Sequence, residues 1–179
     1  MRKLDSIFKE IDNNIATSMS SDRKAWAKKI VDEQLSLEPI ITMLSEDHPK
    51  GARASYVLGD ICEIAPSRLV PYLVDLFNNR YAIDVLGFDR SLAKFFKHSG
   101  VPNEIEGEVL DQLIKWMSDS GIKVGTKYYS MYVLRELCNK YPEITNEFVA
   151  ILEDQKERNT KTFKRMAIKI LSEMKKADS

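Results

Sequence analysis

Tyr56-Val57-Leu58, followed by Cys62 and Pro66, returns as Tyr132-Val133-Leu134, Cys138 and Pro142, every matched residue displaced by 76 positions. A constant displacement without gaps marks an internal repeat, and half of it, about 38 residues, is the length of a helical-hairpin repeat. That confines the chain to a stack of similar two-helix units, each burying its apolar face on the next.

The rest of the sequence divides accordingly. Residues 2–16 place Leu4, Ile7, Phe8, Ile11 and Ile15 on one stripe, and a polar break follows to Ser21. Residues 1–21 therefore read as an N-terminal capping helix and break. Over 22–176, Pro and Gly clusters cut out helix-length segments of two kinds. B segments, which precede a break, cover 22–35, 50–65, 83–100, 123–140 and 159–176; A segments cover 36–48, 66–80, 102–119 and 142–158. Aligned on Tyr56-Val57-Leu58, the B segments continue with Leu92-Ala93-Lys94, Tyr132-Val133-Leu134 and Ile168-Lys169-Ile170, at offsets of 36, 40 and 36. In the A segments, Leu69–Val74 lines up with Val109–Ile114. No segment alternates with period two. The expected fold is all-α, nine or ten helices in a single domain over 1–179.

The B segments resemble the second helix of HEAT repeats, which opens with Asp and carries Arg six positions later. Asp47…Arg53-Ala54 and Asp84…Arg90 have that spacing, Asn159…Arg165 softens it, and Lys123…Tyr129 departs from it. The resemblance covers most of 22–176. More narrowly, the chain is similar to small bacterial HEAT-like proteins with a Tyr-Ser-Met segment, here Tyr129-Ser130-Met131, some of which carry an adenylosuccinate lyase label. The resemblance implies a right-handed α–α superhelix with B helices on its concave surface and A helices on its convex one. It also implies a non-enzymatic module that binds a protein or peptide.

Catalytic signatures are missing. There is no phosphate-cradling Gly motif, no G-x-S-x-G and no H-E-x-x-H, and the lyase loop and long bundle helices have no counterpart. His48 and His98 lack partners at metal-ligand spacing, so neither metal nor cofactor is expected. Glu104, Glu106 and Glu108 lie in a segment that reads as an exposed helix turn, where Glu104 and Glu108 complement the helix dipole. Cys62 and Cys138 sit two repeats apart, too far for a disulfide when helices stack about 8–10 Å apart. Trp116, Phe77 and Phe148 fall in apolar A rows and are expected in the core. Nothing approaches the roughly 20 apolar residues of a membrane span. The N-terminus has no secretory apolar region, and the cytoplasm is the expected location.

Charge is the most informative functional signal. The 27 basic and 27 acidic residues cancel overall, yet B segments sum to +10 and A segments to −9. On the HEAT-like arrangement this predicts a basic groove that attracts an acidic protein or peptide. Arg53, Tyr56, Tyr129, Tyr132, Arg135, Lys161 and Arg165 are its candidate binding residues. Tyr56 and Tyr132 recur at the repeat period, which also suits packing. The C-terminal Lys161, Lys164, Arg165, Lys169, Lys175 and Lys176 equally suit a solvated capping helix. Nucleic-acid binding, in the manner of HEAT-like alkylation-repair glycosylases, is the alternative; it would need more surface Trp than Trp26 and Trp116, and a stronger net positive charge.

Overall fold

The computed structural model describes residues 3–177, with side chains for 6–175. Leu4 of the N-terminal stripe and Lys176 of the basic run lie outside the described side chains. The described residues are all helical, with α-helices joined by turns and short 3-10 segments. They fall into two compact units, Met1–Pro102 and Asn103–Ser179.

The first unit is built around a glycine- and alanine-rich helix. α1 (Lys3–Asn14) and α2 (Ser20–Asp32) lead into α3 (Glu38–Thr42), then α4 (Lys50–Ile64), α5 (Leu73–Asn78) and α6 (Phe88–Ser99). Ile7, Ile11 and Ile15 recur every four residues and are fully buried, as an amphipathic stripe demands. Trp26 Nε1 donates to Glu10 Oε1 at 2.9 Å, and Lys50 meets Asp12 at 2.6 Å, tying α2 and α4 to α1. α4 packs against α2, α3 and α6. It does so with small residues, since Ala52, Ala54, Ser55 and Gly59 are all buried and let neighbouring backbones approach.

Gly51 is the tightest of these positions. A Cβ there would lie 2.6 Å from the Glu46 carbonyl oxygen and 3.0 Å from Val85 Cγ2. Backbone cannot yield as a side chain can, so overpacking outweighs alanine's better helix propensity. Gly51→Ala is expected to destabilise the unit by about 2 kcal/mol in urea unfolding; unchanged stability would refute the clash.

Four of the five B helices keep close to their expected limits, whereas one B segment and two A segments do not. Segment 36–48 forms α3 and a 3-10 turn at Met43–Ser45. Segment 66–80 breaks into Pro66–Arg68, Val70–Tyr72 and the short α5, because Pro71 cannot donate to a helical ladder and collides with the turn before it. Segment 83–100 becomes helical only at Phe88, after Gly87 with φ of 81°. Gly100, also at φ 81°, ends that helix.

The second unit comprises α7 (Glu106–Ser118), α8 (Val124–Lys140), α9 (Thr145–Gln155) and α10 (Lys161–Ala177). α7 packs on α8 and α9, and α10 on both α8 and α9. Trp116, Leu134, Phe148 and Phe163 are among its core side chains, and Phe77 lies in the core of the first unit. Trp116, Phe77 and Phe148 thus occupy the core places expected of them.

Glu106 corrects the exposed reading of its segment, because it is buried and accepts hydrogen bonds from Lys140 Nζ at 2.6 Å and Tyr141 Oη at 2.5 Å. Burial alone would raise its pKa, but those two bonds together with the Lys140 charge outweigh it and hold the carboxyl below its ordinary value. A depressed carboxylate stabilises the fold above its unfolded pKa, and that contribution disappears as pH falls through the folded value. Below about pH 4.3 the protein should therefore lose stability faster than Glu106→Gln does. Parallel pH dependences in urea titrations would contradict this.

Cys62 and Cys138 are free and buried. Burial pushes the Cys62 thiol up to about 12 and raises that of Cys138 as well. Both behave as small apolar residues.

Candidate functional site

The first unit carries a polar recess between the B helices α2, α4 and α6. Its walls come from Ser20 and Arg23 of α2, from Tyr56, Gly59 and Asp60 of α4, and from Arg90 and Lys94 of α6. Spacing on the helices explains why these side chains share one place. Gly59 and Asp60 lie three and four residues after Tyr56 on α4, and Lys94 four after Arg90 on α6, so each set follows one face.

Arg23 is the anchor of the recess. Only 8% of it is exposed. Its Nη1 donates to the Ser18 carbonyl at 2.7 Å, and its guanidinium stands over the Tyr56 ring, 5.6 Å from the centroid. Burial lowers its pKa, and the nearby positive charge of Arg53 adds to this. Its Nε is buried with no acceptor among the described residues.

Lys94 crosses α4 at the far side. It meets Glu63 Oε1 at 2.8 Å and Asp60 Oδ1 at 3.8 Å. Gly59 makes that crossing possible, since a Cβ there would come within 3.1 Å of Lys94 Nζ. Burial raises the Asp60 pKa against the pull of Lys94. Glu63 moves the other way: burial would raise it, but the hydrogen bond and charge of Lys94 prevail. Ser91 Oγ donates to Ser55 Oγ at 3.0 Å, and Ser55 Oγ donates to the Ala52 carbonyl at 2.9 Å. Both hydroxyl protons are therefore committed, and these serines supply small volume rather than free donors.

The predicted groove residues are distributed over both units. Arg53 and Tyr56 lie on α4, both half-buried, and Tyr56 lines the recess. Tyr129, Tyr132 and Arg135 are on α8, and Lys161 and Arg165 are exposed on α10. Within α8, the Tyr128 ring packs edge-on against Tyr129 and Tyr132 at 5.5 and 5.2 Å, and the Tyr128 and Tyr132 hydroxyls are 3.3 Å apart. Burial and that hydroxyl contact push Tyr132 up to about 12. Arg135 turns back along its own helix, donating to Asn139 Oδ1 at 2.5 Å.

Two features correct the sequence reading. Lys127, counted among the basic residues of its B segment, is 2% exposed and donates to Gln155 Oε1 at 2.5 Å, so its charge is not on the surface. Arg23, Arg90 and Lys94 were not singled out as binding residues, although they form the densest set of cations in the first unit's recess. Two traces of them are legible: Arg90 stands at the HEAT spacing from Asp84, and Lys94 closes the triplet aligned on Tyr56-Val57-Leu58.

A family model described as a HEAT repeat domain matches residues 11–175. The chain belongs to the HEAT repeat family. HEAT repeats generally mediate protein interactions. Neither the curated proteins nor the solved structures yield a match. Among the described residues, no helix of this HEAT protein is long and apolar enough to cross a membrane. No group of three or more His, Cys, Asp or Glu among them is placed to hold a metal ion.

Proposed function

We propose that this HEAT protein is a non-enzymatic interaction module that binds an acidic protein or peptide segment on its B helices. The observation that supports the reading best is the gathering of Arg23, Arg90 and Lys94 around one recess, with Arg53 close enough to depress Arg23. Clustered like charges repel one another, and an anionic partner relieves that cost. The basic residues on α8 and α10 extend the same preference to the second unit. The nucleic-acid alternative has less support, because Trp26 and Trp116 are 7% and 3% exposed and present no face for a base to stack on.

Fluorescence anisotropy with a labelled Asp/Glu-rich peptide tests the proposal. Binding should weaken with added salt, and Arg53→Glu should reduce affinity about tenfold. Unchanged affinity in both Arg53→Glu and Arg135→Glu would remove the B helices as the binding surface.

A further inference from the structure

Away from the B-helix recess, the first unit has a larger cleft of the opposite charge. About 640 Å³ in volume, it opens between the turn before α4 and the loop before α6. Leu44 and Val85 are buried in its lining, whereas Leu86 is 66% exposed. Glu46, Asp47 and Asp84 line the cleft and are exposed, and no lysine or arginine lines it. Lys50 stands near Glu46 but is bonded to Asp12 at 2.6 Å. None of the three carboxylates has an ion-pair partner among the described residues. They precede the first residue of α4 or α6 by three or four positions, so the helix dipoles offset part of their charge. A dipole does not account for an exposed leucine between them.

The complementary surface is on α10. Phe163, Ala167 and Ile170 are buried where that helix packs on α8 and α9. Lys161, Arg165, Ile168 and Lys169 recur at helical spacing on the opposite face. All four are exposed, Ile168 by 48%. Lys161 and Arg165 have no ion pair among the described residues, and Lys169 lies 3.8 Å from Glu173.

We infer that the acidic cleft is a self-association site whose occupant is the α10 face of a second copy of this chain. Each surface sets an exposed aliphatic side chain among charges, and the two signs are opposite. Three carboxylates meet three cations, and Leu86 meets Ile168. The 27 basic and 27 acidic residues of the chain cancel, so two copies approach without net repulsion. Cleft and helix are different patches, which makes the contact heterologous: a copy that has received an α10 still offers its own. Growth is therefore head to tail. The inference rests on the proposed function only in taking α10 as a surface that meets carboxylates.

Sedimentation velocity over a wide concentration range tests it. The mean mass should rise with concentration and fall with added salt. Asp84→Lys, Glu46→Lys and Arg165→Glu, all at exposed positions, should each weaken association at least about tenfold, and Leu86→Ser should weaken it too. The decisive sample mixes Asp84→Lys with Arg165→Glu. The first keeps its α10 and the second keeps its cleft, so the mixture should form one-to-one dimers and stop there. Absence of that dimer, or a wild-type assembly that itself stops at two, would overturn the head-to-tail contact. A protein monomeric at every concentration would overturn self-association, and one that stays monomeric while its cleft binds an Arg/Lys-rich peptide would assign the cleft to another partner. Self-association without binding of the Asp/Glu-rich peptide would support the cleft and refute the acidic-partner proposal. Peptide binding by a permanent monomer would do the reverse.

Discussion

Replacing Gln155 by leucine is expected to lower the unfolding free energy of the second unit by about 3 kcal/mol, because it leaves a buried ammonium without its acceptor. Lys127 is almost wholly enclosed, and Gln155 Oε1 is the acceptor at hydrogen-bond distance. Gln155 is itself positioned, since its Nε2 donates to Asp154 Oδ2 at 2.9 Å and its main-chain carbonyl accepts from Asn159 Nδ2 at 2.7 Å. Removing the charge instead should cost little: Lys127→Met is expected to be neutral within about 1 kcal/mol or stabilising, and to rescue Gln155→Leu. Urea unfolding of the two single variants and the double variant reads the coupling directly. Additive losses would show that the pair does not interact.

The same lysine makes a pH prediction of definite sign. Burial lowers its pKa, against the pull of Asp119 and Asp154. Between that lowered value and the ordinary one near about 10.4, the unfolded chain holds more protons than the folded one, so stability rises with pH. The cost of enclosing the charge is complete below the folded pKa and absent above the unfolded one. The stability difference between the protein and Lys127→Met should therefore shrink as pH rises towards about 10.4. A difference constant with pH would argue against a buried ammonium.

Phe77→Ala carries the largest expected effect in the first unit, a loss of about 4 kcal/mol. The ring is fully buried, meets Phe96 edge-on at 5.9 Å, and lies under the Arg80 guanidinium at 3.9 Å. Truncation removes the burial, the aromatic pair and the support of Arg80 together, and the rigid helices around it cannot close the space. Thermal unfolding should show a large drop in midpoint. A loss below about 1 kcal/mol would mean that the site collapses on itself.

How far the sequence could be read depended on the range of the interaction concerned. The repeat displacement placed α4 and α8 to within a residue or so, because a helix long enough to bury a stripe carries its own period. It failed over 66–80, where Leu69, Leu73 and Leu76 keep an apolar rhythm that suits an α-helix and a chain of 3-10 turns alike, and Pro71 decided between them. Glu106 reads as exposed in the sequence because its true partners, Lys140 and Tyr141, follow it by 34 and 35 positions. Arg53 and Tyr56 were found through the family spacing. Arg90 shares the family spacing and Lys94 lies in the aligned repeat, but Arg23 has no such mark, and only the packing of α4 against α2 and α6 brings the three to one recess.

Cys62 and Cys138 have a use that follows from where they lie. One is enclosed in each unit, and a buried thiol of high pKa supplies almost no thiolate at neutral pH. A cysteine introduced at exposed Ser20, on the rim of the recess, would react with a fluorophore long before either native thiol, so no cysteine-free background is needed. Slow alkylation of the natural pair then becomes a clock with two hands, Cys62 timing the opening of the first unit and Cys138 that of the second.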